Sequence, residues 1–288
     1  MIMSQIDPIP KRQLLSFKVR GPEIAQIFKE LKTSGPLTHT QVIERFVPLS
    51  ESRNDDMVRD GLDMLRALEL IWRIQTDSDN GPSYKLNEDI SSKTPFSLLV
   101  LKRLSSFNDD RCVFRLIHNL LIANNLLFVN RHDLMMRLEK AYPQKKYAWN
   151  LAKIRTWRVV SAYFGLVRSV KPSDGDILVS PKSRLLTQMM LAYATHEGIS
   201  TNQKFEIPIR DWLDFVQTHY CQCLTEKLRV HQGLASALLS MEKGSLIVLK
   251  MLSDAGSERL LDRAVSHIEV ASASNFERNS HARTLSFS

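Results

Sequence analysis

The chain has 288 residues, a formal net charge of +8, and 43% hydrophobic against 24% charged residues. That is enough apolar material for the cores of about two or three domains, and it excludes wholesale disorder. Ten glycines and eleven prolines are too few for a fold of many tight hairpins or for glycine-rich nucleotide loops.

Three cysteines, Cys112, Cys221 and Cys223, do not make a disulfide framework and suit a reducing, cytoplasmic setting. The opening stretch lacks the apolar core and small-residue cleavage site of a secretory signal, and no apolar run is long enough to cross a bilayer, so no membrane partner is expected. The positive balance points to an acidic partner, with nucleic acid first and a membrane surface second.

Residues 1–19 read as a basic arm, although Leu14, Leu15 and Phe17 could pack on a neighbouring unit. From 20 to 90 the pattern is three helices and a hairpin. Pro22 opens a helix carrying Ile24, Ile27, Phe28 and Leu31 at helical spacing, and Ser34-Gly35-Pro36 stops it. Thr38 or Thr40 caps a short second helix that Pro48 ends, and Asn54 caps a third with Val58, Leu62, Leu65 and Leu68 on one stripe. Strands follow at 70–74 and 84–86 across a turn at 77–82. A polar linker and a helix over 91–107 lead on.

From 108 to 181 the order returns. A helix holds Cys112, Leu116 and Leu120, a strand covers 126–129, helices cover 133–142 and 147–164, and strands at 166–170 and 177–179 flank a turn at 171–175. From 182 to 270 it returns more weakly. Helices are expected around 185–194, around Trp212 to Val216 and around Val230 to Met241, with strands at 205–207 and 246–251. Residues 258–264 look helical, which leaves the returning strand unplaced. Residues 271–288, rich in Ser, Asn and Arg, read as a flexible tail.

The helix-helix-helix-hairpin order, and above all the stretch VRDGLDMLRALELIWRI with GPSYKLNED, resembles the third helix and wing of the winged helix-turn-helix superfamily. The resemblance implies a mainly α fold with short β-hairpin wings, about three tandem units, and no catalytic residues. Its tandem members serve bacterial regulation, mobile elements and anti-phage defence.

Residues 141–173 contain Lys145, Lys146, Lys153, Arg155, Arg158, Arg168 and Lys171 and no Asp or Glu. Such charge neutralises phosphates and releases counterions. In a winged helix the third helix commonly enters the major groove and the wing touches the backbone. Lys146, Asn150 and Lys153 share a helical face. Asn150 and Arg155 suit base edges, and Arg168 and Lys171 would clamp phosphate from the wing. Double-stranded DNA is therefore the expected partner. Trp149, Trp157, Tyr163 and Phe164 could stack on bases but suit a core better.

The third helix of the first unit mixes Asp55, Asp56, Asp60 and Asp63 with Arg53, Arg59 and Arg66, which suits protein better than phosphate. Units 1 and 3 are thus expected to meet protein partners. His219, Cys221 and Cys223, with His231 as a fourth ligand, have poor zinc spacing, so no metal and no cofactor are expected. His132-Asp133 and Glu30-Leu31-Lys32 are weak echoes of phosphohydrolase and nuclease motifs, and no nucleotide loop or nucleophile elbow occurs. Two other functions stand beside DNA binding: an adaptor subunit of a chromosome-organising ATPase complex, and a repressor, which would require a symmetric dimer on spaced half-sites.

Overall fold

A computed structural model describes residues 7–8, 14–47, 55–75, 81–90, 93–170, 176–252 and 255–272. The described chain is mainly helical, with small antiparallel sheets. It divides into two compact units, Met1–Phe114 with Tyr142–Phe164, and Arg115–Ala141 with Gly165–Ser288.

In chain order the elements are α1 (Gly21–Ser34), β1 (Leu37–Thr38), α2 (His39–Phe46), α3 (Asp56–Ala67), β2 (Ile71–Ile74), β3 (Ser83–Leu86) and α4 (Phe96–Ser106). There follow α5 (Val113–Ala123), β4 (Phe128–Val129), α6 (Arg131–Ala141), α7 (Leu151–Phe164), β5 (Arg168–Ser169) and β6 (Ile177–Leu178). Last come α8 (Ser183–His196), β7 (Phe205–Pro208), α9 (Ile209–His219), α10 (Gln232–Lys243), β8 (Ile247–Lys250), β9 (Glu258–Leu260), β10 (Arg263–Val265) and β11 (His267–Val270).

One order recurs three times: helix, strand, helix, helix, strand, strand, the third with the hairpin β9–β10 inserted before its last strand. In each recurrence the first strand pairs with the last, giving sheets β1-β3-β2, β4-β6-β5 and β7-β11-β8. The turn from each third helix into the strand that follows it is also shared. The third helix closes on a left-handed residue, Glu69, Gly165 or Ser245, and a leucine follows it: Leu70, Leu166 or Leu246. Leu70 N–H donates back to Leu65 O, and Leu246 N–H to Met241 O, which satisfies carbonyls the helix end would otherwise leave open.

The first unit packs around α1. Ile24, Ile27, Phe28 and Leu31 are buried with Val58, Leu62 and Leu65 of α3. Thr38 caps α2 through a reciprocal pair with Gln41. Leu14, Leu15, Phe17 and Val19 are buried, so the part of the arm from Leu14 on belongs to the core. Helix α4 is likewise no mere linker. Phe96 lies 4.8 Å from Phe28 and 5.9 Å from Phe164, ring centre to ring centre. Helix α7 adds Ile154, Trp157, Val160 and Phe164, and the Trp157 indole N–H donates to Phe114 O at 3.1 Å.

The second unit is built on α5 from Arg115 on, α6 and all elements from Gly165. Here the expected helix at 258–264 is a hairpin. β9 pairs antiparallel with β10 across Leu261-Asp262, with Leu261 left-handed. Leu260 and Val265 are fully buried, so burying these two apolar residues overrides a weak local helix preference. The returning strand is β11, which pairs with both β7 and β8. Several expected starts also shift. Val230 precedes α10 and bridges to Leu224, because His231 caps the helix by accepting from Gly233 N–H. Asn130 caps α6. The expected caps and turns at Asn54, 77–80 and 171–175, and the tail from 273, lie outside the described residues.

Two substitutions should move stability in opposite directions, read by urea denaturation. A Cβ on Gly233 would stand 1.8 Å from Val179 O, so Gly233→Ala should cost about 1–3 kcal/mol of overpacking. Ser245 is exposed and left-handed with φ 56°, so Ser245→Gly should stabilise by about 1 kcal/mol. No change in either variant would contradict the local geometry described.

Candidate nucleic-acid interface

The boundary between the two units falls inside residues 108–181, read from sequence as one winged-helix unit. The basic α7 belongs to the first unit, and the hairpin β5–β6 to the second. The eight expected contact residues are therefore distributed between two bodies. Lys145, Lys146, Asn150, Lys153, Arg155 and Arg158 stand on the first, and Arg168 on the second. Lys171 lies outside the described residues, as does the side chain of Lys146.

The expected helix from 147 starts later. Lys145–Tyr147 form a 3-10 turn, Ala148 is left-handed (φ 42°), and α7 begins at Leu151. Asn150 explains the start. Its Oδ1 accepts from Lys153 N–H at 2.9 Å, and its Nδ2 donates to Ala148 O at 3.3 Å. Its exposed amide thus serves as the helix cap. The Lys153 ammonium donates to Tyr147 O, and partial burial holds its pKa below the usual lysine range.

Arg158 is buried and is withdrawn from the set of phosphate contacts. Helix α7 packs against α1 and the Leu14–Ser16 turn. Gly21 meets the Tyr163 ring so closely that a Cβ there would lie 2.1 Å from ring carbons. Trp149 is also committed, donating its indole N–H to Tyr142 O at 3.1 Å with its ring 5.4 Å from that of Tyr147. Trp157 and Phe164 are core, as expected.

Lys145 and Arg155 remain exposed, and neither makes an ion pair among the described residues. Five other arginines of the first unit differ. Arg59 pairs with Asp55, Arg66 with Asp63, Arg73 with Asp7, Arg103 with Glu69, and Arg111 with both Glu69 and Asp109. Two cations missed in the sequence reading are Lys18 and Arg20, both exposed. They adjoin Gly21, so the Gly21–Tyr163 contact brings their stretch of chain to the C-terminal end of α7. No spacing within residues 1–19 announces this. On the second unit, Arg168 donates to Pro181 O at 3.1 Å.

The weaker motifs resolve into structure. Glu30 pairs with Arg45 and accepts from Ser34. Asp133 accepts from Asn130 at 2.6 Å. His219 joins a ring cluster with Phe215 and His196. His231 uses both nitrogens, one accepting from Gly233 N–H and the other donating to Leu126 O. Cys223 Sγ donates to Leu213 O. Among the described residues, no group of three or more His, Cys, Asp or Glu is arranged to hold a metal ion, and no helix is long and apolar enough to cross a membrane.

No protein-family model, curated protein or solved structure matches the chain.

Two expectations about the second unit can be checked directly. Burial lowers the pKa of both His118 and His231 to about 4. The folded state therefore keeps these rings neutral, while the unfolded chain takes up protons below about 6.5. Stability should be flat above about pH 6.5 and fall steadily as pH drops to 4. The check is the urea midpoint against pH, and a flat profile would contradict the burial of the rings. Burial also pushes the Cys221 thiol up to about 12, and Cys223 well above its usual value. Iodoacetamide at pH 8 should leave the buried Cys223 unlabelled until the chain is unfolded, as read by mass spectrometry.

Proposed function

We propose that this is a non-catalytic protein of three winged-helix units that binds double-stranded DNA through the first compact unit. Lys145 and Arg155 are the principal phosphate contacts, extended by Lys18 and Arg20. The observation that carries this reading is the exposure of Lys145 and Arg155 without carboxylate partners, on a segment free of Asp and Glu. Unpaired cations keep their full attraction for a polyanion, whereas a paired arginine must first break its ion pair. The recurring helix order and the first-with-last strand pairing support the winged-helix reading. A role in bacterial defence or mobile-element systems is the setting proposed for it.

Arg155 contacts the backbone in this reading and does not select a base. Arg158 is buried and Asn150 caps the helix, so binding in this reading depends mainly on charge. The test is a salt titration of the full chain on duplexes of unrelated sequence. Replacing Lys145 and Arg155 together by Glu should weaken binding at least tenfold at low salt. It should also flatten the slope of log K against log salt by about two. Unchanged affinity and slope would refute the assignment.

A second reading, that of an adaptor subunit in a chromosome-organising ATPase complex, is favoured by one observation. The third helix of each repeat is obstructed: α3 carries Asp56, Asp60 and Asp63, α7 is packed by α1, and α10 is covered by β9. Co-purification of an ATPase partner, with no DNA binding by the chain alone, would favour that reading over the first.

A further inference from the structure

Three cations of the second unit stand together where α8 begins. Arg168, on β5, donates to Pro181 O at 3.1 Å, which lays its guanidinium against the residue before Lys182. Lys182 N–H donates to Gly165 O at 2.8 Å. The Lys182 stem lies over Gly165, where a Cβ would stand 3.3 Å from Lys182 Cβ and 3.6 Å from Lys182 Cδ. Arg184 follows in the first turn of α8. Lys182 and Arg184 are exposed, and Arg168 is half-buried.

From Ile177 to His196 the chain has no Asp or Glu. None of the three cations makes an ion pair with a described residue, Asp176 included. Lys204, Arg210, Lys250 and Arg263 of the same unit all do. Burial, and then the charges of Arg168 and Arg184, hold the Lys182 pKa below the usual lysine range. Arg168 Nε is also buried and has no hydrogen-bond partner among the described residues. Holding three like charges together raises the energy of the folded chain, and an anion seated among them lowers it. The first turn of α8 adds no acid and presents the positive end of the helix.

A carboxylate offers two oxygens in one plane. A phosphate offers oxygens on several sides, which suits two guanidinium forks and an ammonium approaching from different directions. We infer that Arg168, Lys182 and Arg184 form a binding site for a phosphate group on the second unit, supplied by a nucleic-acid backbone or by free phosphate.

The test uses the full chain with two probes, inorganic phosphate and a DNA duplex. Phosphate should raise the melting temperature saturably, by the mass action of a ligand that binds only the folded state. Chloride at equal ionic strength should not. Replacing Lys182 and Arg184 together by Ala should remove the saturable part and leave the shallow rise that phosphate gives by exclusion from protein surfaces. Line broadening in phosphorus NMR reads the same binding without reference to stability. With the duplex, the double variant should bind several-fold more weakly, with a salt slope flatter by about two, if the site takes backbone phosphates. Unchanged duplex affinity together with a lost phosphate response assigns the site to free phosphate. If neither probe distinguishes the double variant from the unaltered chain, the inference is overturned. The contacts at Lys145 and Arg155 are tested by other residues on the other unit, so either assignment can fail without the other.

Discussion

The fold depends on pairing between strands that are distant in sequence. In each recurrence a short strand after the first helix must find the last strand of the set: Leu37 faces Tyr84, Phe128 faces Leu178, and Phe205 faces Val270. Two-residue strands such as β1 and β4 gain little from their own hydrogen bonds. They persist because the helices between them bury a stripe that only this closure completes. The left-handed residue at the end of each third helix serves the same closure, turning the chain sharply so that Leu70 and Leu166 enter the core and Leu246 is half-buried.

With that frame fixed, the three repeats diverge in how the third helix is used. α3 is acidic, α7 lends a second face to α1, and α10 lies under an inserted hairpin anchored by the Arg263–Glu242 ion pair. A shared framework thus carries three different surfaces. The repeats differ in their distribution of charge more than in their topology.

Much of this architecture could be read from the residues. Ile24, Ile27, Phe28 and Leu31 lie at helical spacing and do form the buried stripe of α1. Thr38 is a cap, and Trp157 and Phe164 point inward. What could not be read depends on contacts distant in sequence. Nothing local in Ser257 to Val265 distinguishes a helix from a hairpin until Leu260 and Val265 have a core to enter. Arginine is a residue type mostly found at the surface, and nothing next to Arg158 in the chain shows that it is buried. Asn150 presents the same amide to a cap as to a base, and the left-handed Ala148 decides between them.

The contact between Gly21 and Tyr163 bears on how the chain is made. The first unit takes its last helix from beyond a 27-residue excursion, Arg115–Ala141, that belongs to the second. On the ribosome, α1 to β3 can assemble their sheet early. The apolar surface of α1 and α4 that α7 covers must nevertheless stay open until Phe164 has left the exit tunnel. Throughout that interval the growing chain displays a sticky face that the finished molecule hides. Synthesis speed across residues 115–164, and chaperones acting there, become determinants of yield.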